Sequence, residues 1–194
     1  MPQNLDLLGL WHTGVNAVRG DSAVLRALQD GSVRAPDRII AVGKAAAAMA
    51  KPAGDKWPNV PCLVVTKYGH GLGAPDHATV IEAAHPVPDA ASLQAGRALQ
   101  EAVAACAPGS HLLMLVSGGA SSLAEVLQDM TLDDLKLETN ALLASGAAIG
   151  EMNAHRTGIS QIKGGKLLAG FGGAAVTTLA LSDVEGDALA TIGS

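Results

Sequence analysis

The chain has 194 residues, of which 48% are hydrophobic and only 2% aromatic, and it carries a formal net charge of -5. That length suits one sizeable domain and is short for two. The acidic balance offers no overall basic field, which excludes nucleic acid and anionic lipid as partners and leaves any phosphate to be recognised locally.

The 23 glycines cluster after apolar runs, as turns do and low-complexity linkers do not. Cys62 and Cys106 have no metal-ligand spacing and read as small residues of a reducing compartment. Met1 to Leu10 lacks the basic stretch of a secretory signal, and no apolar run reaches membrane-spanning length. The expectation is a cytoplasmic protein.

In chain order, Leu7, Leu8, Trp11, Val15 and Val18, then Val24, Leu25 and Leu28, fall at helical spacing. They predict one or two opening helices ended by Asp30-Gly31. Arg38 to Val42 is a short strand meeting Gly43-Lys44, and Ala45 to Ala50 is a strong helix former. Cys62 to Thr66 is a second strand, entering Lys67-Tyr68-Gly69-His70-Gly71-Leu72-Gly73. Val80 to Ala84 is a third, ending in His85-Pro86-Val87-Pro88-Asp89, where Asp89 caps a helix from Ala90 to Ala105. His111 to Val116 is a fourth strand, entering Ser117-Gly118-Gly119-Ala120-Ser121-Ser122. Thr131 opens a helix through about Ala144, and another follows near Gly146 to Glu151. Val176 to Leu181 is a fifth strand, leading into Ser182-Asp183-Val184-Glu185-Gly186-Asp187.

Buried strands alternating with helices imply an α/β fold: a mostly parallel sheet with helices on both faces. Ligands bind such sheets outside the carboxyl ends of the strands. Several of the glycine-rich turns follow strands, so they are expected to converge there.

The segment Ser117 to Ser122 is the most informative. Its glycines allow a close backbone approach, a following helix would aim free N–H groups at an anion, and its serines add hydroxyls. Ser117, Gly118, Gly119 and Ser121 are therefore candidate phosphate or substrate contacts. Lys44, at the first strand's end, would act as a point charge on the same edge. Asp183 and Asp187 flank a turn after the last strand, where carboxylates suit Mg²⁺ shared with substrate phosphates. Asn153, Arg156 and Lys163, with Lys166 and Gly164-Gly165, form a basic stretch able to clamp an anion. His70 and His85 are further site candidates, but no histidine has a zinc partner at helix spacing. No turn matches the P-loop pattern. Gly69, Gly71 and Gly73 lack the third glycine of a dinucleotide fingerprint and run into Pro75.

Read together, these segments resemble the two-domain glycerate kinases of the MOFRL family, sometimes labelled hydroxypyruvate reductases. The matching pieces are Val42 to Ala45, Val65 to Gly71, Glu82 to Asp89, Leu115 to Leu123, Met152-Asn153, Ile162 to Leu167 and Leu181 to Asp187. The resemblance implies a Rossmann-like first domain and ATP-dependent, Mg²⁺-assisted phosphorylation of D-glycerate to 2-phosphoglycerate. On that reading Lys44 and Asp183 are catalytic, and Lys44 and the serine-glycine loop face a cleft between two domains. Asp183 and Asp187 would lie near the metal.

The family pattern Asn-x-Val-Arg-Lys-His-Leu-Ser reads here Asn153-Ala154-His155-Arg156-Thr157-Gly158-Ile159-Ser160. Arg156 is kept, a basic pair is replaced, and His155 stands at an apolar position. Residues 1–194 are expected to form a single α/β domain, equivalent to the first of the family's two, with the second absent and turnover correspondingly poor. A non-catalytic binding or oligomerisation module is the alternative, which leaves a homo-oligomer open. An NAD(P)H-dependent hydroxypyruvate reductase is the third reading, weakened by the missing fingerprint.

Overall fold

The computed structural model describes residues 6–146, 149–188 and 192. Five strands, β1 (Arg38–Val42), β2 (Cys62–Lys67), β3 (Thr79–Ala83), β4 (His111–Ser117) and β5 (Ala175–Leu181), form one sheet in the order β3-β2-β1-β4-β5. Every pairing is parallel. The central strands are continuous apolar runs because both faces of the sheet are covered. Ile39 and Ala41 of β1 and Leu113 and Leu115 of β4 pack on one face, beneath α2 (Gly20–Gln29) and α3 (Ala46–Lys56). Ile40, Val42, Leu112 and Met114 pack on the other, beneath α4 (Ala90–Ala104) and α5 (Ala120–Leu123). One alternating register thus feeds two cores.

The opening helix, α1 (Leu7–Val18), buries none of its residues, although its apolar spacing suggests an inward face. Asp89 caps α4 as expected: its carboxylate accepts from Ser92 N at 3.0 Å in a reciprocal capping box. Thr131 and Asp134 form the same device at the start of α6 (Leu132–Ser145). The helix expected near Gly146 to Glu151 is longer and later. It is α7, Ile149–Ile159, with residues 147 and 148 outside the described residues. Asn153 and Arg156 of the basic stretch therefore stand on a helix. The short α8 (Lys166–Ala169) leads to β5.

The strand order reverses direction between β1 and β4. Chain leaving β1 turns toward β2, and chain leaving β4 proceeds on the opposite side toward β5. A crevice opens at such a switch point, outside the carboxyl ends of the two strands.

Candidate functional site

The two strand-end turns at the switch point are stitched together. Lys44 N donates to Gly118 O at 3.0 Å, and Ala45 N donates to the Ser117 hydroxyl at 3.0 Å. Thr66 Oγ1 anchors the Gly43 carbonyl at 2.9 Å. Gly43 has φ 127°, and a Cβ there would run into the hydroxyl and carbonyl oxygens of Ser117. Only glycine lets β1 and β4 end this close together.

Above this junction lies a cavity of about 500 Å³ lined by Lys44, His85, Ser117 to Ser122, Asn153, Arg156 and Asp183, among others. Of the site residues expected from sequence, Lys44, Ser117, Gly118, Gly119, Ser121, Asn153, Arg156 and Asp183 meet on it, and so does the further candidate His85. Gly119 takes φ 88°, and the Lys44 stem and the His85 ring both crowd its Cβ position. The Asp183 carboxylate, arriving from the end of β5, occupies the space a Gly118 side chain would need. These two glycines are thus the floor on which groups from three strands converge.

Arg156 comes from α7. The helix turns Met152 and Arg156, four residues apart, inward. The Arg156 residue is only 8% exposed, yet its guanidinium forms no hydrogen bond among the described residues. Burial pushes its pKa down, and the charge of Glu125 opposes that shift. The guanidinium opens on the cavity, where an anion can complete it with charge-assisted hydrogen bonds.

Two expected site residues are not on the lining. Lys163 is 4% exposed and forms an ion pair with Glu125, itself 1% exposed. The amine also donates to Ala124 O at 3.0 Å. Burial lowers the amine's pKa, and Glu125 pulls it back up. Lys163 thus ties the segment after α5 to the segment after α7. Asp187 is exposed in a short 3-10 turn, Glu185–Asp187, with φ 51°. The helix expected to aim its dipole from Ser117–Ser122 is the single turn α5, so the anion-holding potential rests on backbone N–H groups and side chains. The Ser117 hydroxyl is engaged by Ala45 N, while Ser121 faces the cavity with no side-chain partner among the described residues.

Glu125 went unnoticed in the sequence, because its partner lies 38 residues away. His70 stays exposed beside the cavity, its Nδ1 3.2 Å from the Lys44 carbonyl. The loop with Gly69, Gly71 and Gly73 passes from β2 to β3 without opening a helix, so it lacks the geometry of a dinucleotide turn. For Mg²⁺ the donor set is thin: Asp183 is the one carboxylate on the lining, and no cluster of three His, Cys, Asp or Glu ligands occurs among the described residues. One carboxylate plus substrate phosphates is a common way to hold this ion, so the residues present fit it in that form.

Over most of its length the chain is similar to known proteins. The D-glycerate 2-kinase of Thermotoga maritima is 42% identical over 187 residues, covering 93% of this chain and 44% of the relative. A protein of Agrobacterium vitis, provisionally named a hydroxypyruvate reductase, is 43% identical over 152 residues, covering 77% of this chain and 34% of the relative. The crystal structure of glycerate kinase from Thermotoga maritima superposes with a TM-score of 0.82 at 39% identity, over 94% of this chain and 44% of that one. The chain thus spans less than half the length of these relatives. The model of the family described as "Domain of unknown function (DUF4147)" matches residues 6–194, and the chain belongs to that family.

Proposed function

We propose that this chain is the substrate-holding half of a D-glycerate 2-kinase and that it forms one α/β domain of that enzyme. In the proposed reaction the C2 hydroxyl oxygen of D-glycerate bonds to the γ-phosphorus of ATP. The bond from that phosphorus to the bridging oxygen breaks, ADP leaves, and the hydroxyl proton is released. Phosphoryl transfer depends mainly on positioning and charge neutralisation. Lys44 and Arg156 supply the neutralising charge on the cavity that the Gly118-Gly119 turn lines. Backbone N–H groups of that turn, with Ser121 and Asn153, orient the oxyanion, whether phosphoryl group or glycerate carboxylate. Mg²⁺, when bound with the nucleotide, would be held by Asp183 and supply further charge neutralisation.

The observation that carries this reading is Arg156, nine-tenths buried and without a hydrogen-bond partner among the described residues, at a cavity shared with Lys44. The names of the kinase relatives support the choice of reaction. The hydride-transfer alternative draws on the names of two relatives and has no dinucleotide turn to support it.

The test is a single-turnover reaction with chain in excess over ATP, in the presence of Mg²⁺ and D-glycerate, followed by ³¹P NMR. The signal of 2-phosphoglycerate is expected from the wild type. Arg156→Ala should slow its appearance by about 10²-fold or more, the usual effect of removing a charge-stabilising donor. Saturable ATP and glycerate binding without any product would instead favour a non-catalytic binding module.

A further inference from the structure

His85 follows β3 but is held over the turn that follows β4. A Cβ on Gly119 would stand 3.0 Å from His85 Cδ2, 3.1 Å from its Nε2 and 3.1 Å from Lys44 Cγ. Imidazole edge, lysine stem and glycine turn therefore meet at one place on the cavity wall, with Arg156 on the same lining. Among the described residues the ring forms no hydrogen bond to another residue's side chain or backbone. The charged groups facing it are Lys44 from the end of β1, Lys67 from the end of β2 and Arg156 from α7. Asp183, after β5, lies over the neighbouring Gly118. Burial first, and then the positive charges of Lys44, Lys67 and Arg156, hold the imidazole below its ordinary 6.5. Both effects favour the neutral ring in the ligand-free chain.

We propose that His85 is an anion-contacting residue of the Gly118-Gly119 site, and that it takes up a proton when a doubly charged oxyanion binds there. The inference deepens the reading of the cavity as an anion site and rests on it. An arriving dianion offsets the surrounding cations and offers the ring an acceptor, both of which favour the imidazolium. The proton comes from solvent, and no covalent bond is made. Binding and protonation are then reciprocal: the factor by which the anion favours the proton is the factor by which the proton tightens the anion. The ring's pKa is low when the site is empty and higher in the complex. Affinity is therefore greatest below the empty-site pKa, falls as pH rises between the two values, and levels off above the higher one. A monoanionic carboxylate gains less from this coupling, so His85 biases the site toward phosphoryl groups over carboxylates.

Sulfate is the probe, because it remains divalent across the range where the imidazole titrates. Its binding to the wild-type chain and to His85→Gln is followed by NMR at about pH 5.5 and about pH 8, at constant ionic strength. In the wild type the sulfate Kd should weaken by about fivefold or more from the lower to the higher pH, the low end of ordinary site coupling. The His85 ring signals should titrate at higher pH in sulfate than in chloride. His85→Gln should bind with nearly equal Kd at both pH values, whereas Lys44→Ala should bind more weakly at both and keep the pH dependence. If His85→Gln retains the wild-type pH dependence, or the ring's titration does not move while sulfate binds, the proposal is overturned and the anion site stands. If the folded wild type shows no saturable sulfate binding at either pH, the anion-site reading fails and the proposal fails with it. Should His85→Gln not fold, the ring titration in the wild type decides alone.

Discussion

At the scale of single residues, the site depends on where a side chain is absent as much as on where one is present. Gly43 combines a φ of 127° with a Cβ position already occupied by Ser117. Gly43→Ala therefore adds backbone strain to overpacking at a junction of two central strands. Those terms sum to about 2–5 kcal/mol of lost stability, measurable by urea denaturation. A change below about 0.5 kcal/mol would show that β1 and β4 can separate at little cost. The glycines of the loop were legible as turn residues in the sequence, and so was Lys44 at a strand end. Arg156 was legible only as one member of a basic stretch. Its distinction from Lys163 is made by burial partners: Lys163 meets Glu125, while Arg156 meets the cavity. Spacing along a chain says nothing about a partner 38 residues away.

At the scale of elements, the strands were the easiest to read, because parallel strands buried on both faces appear as unbroken apolar runs. α7 was harder. Its buried positions are Met152 and Arg156, one of them charged, so the hydrophobic period that announces a helix is weak. The interval of four between them is the signal that was available. His155, polar where the family pattern is apolar, points instead to α6, with Nε2 2.7 Å from Glu138 Oε2.

The seating of α7 depends on the segments around it. Gln128 N donates to Ile159 O at 3.2 Å and Gln161 N to Val126 O at 2.8 Å, joining the segment after α5 to the end of α7. The Glu125–Lys163 pair lies beneath this crossing. Removing one member should cost about 3–5 kcal/mol, because the other is left charged and buried. Replacing both, as Glu125→Met with Lys163→Met, should recover most of that loss. A double variant as unstable as the singles would mean that the pair's geometry, and not its uncompensated charge, carries the effect. The comparison is a thermodynamic cycle from denaturant midpoints.

At the scale of the molecule, the position of the cavity follows from strand order. Among the described residues a larger hollow of about 730 Å³ exists between α2 and α3, lined by Leu25, Leu28, Pro52 and the charged Lys51, Asp55 and Lys56. No strand end opens into it, and it lacks the glycine turns. The smaller cavity lies at the reversal point, where residues from four strand ends and α7 arrive together. Alternation of strands and helices in the sequence made that edge foreseeable. It could not say which turns would share it, because strand order is not written in the spacing of apolar runs. The final turn with Asp187 shows the limit, since Asp183 reaches the cavity and its neighbour four residues on does not.

The central claim is that the glycine turn sharing its cavity with Lys44 and Arg156 holds a phosphoryl oxyanion. It is tested most directly by a crystal structure of the chain with a non-hydrolysable ATP analogue, Mg²⁺ and D-glycerate. Phosphate density is expected within hydrogen-bonding distance of the backbone at Gly118 and Gly119, with the Arg156 guanidinium turned onto it. Phosphate bound elsewhere, such as between α2 and α3, with the Gly118-Gly119 turn bare at saturating ligand, would contradict the account.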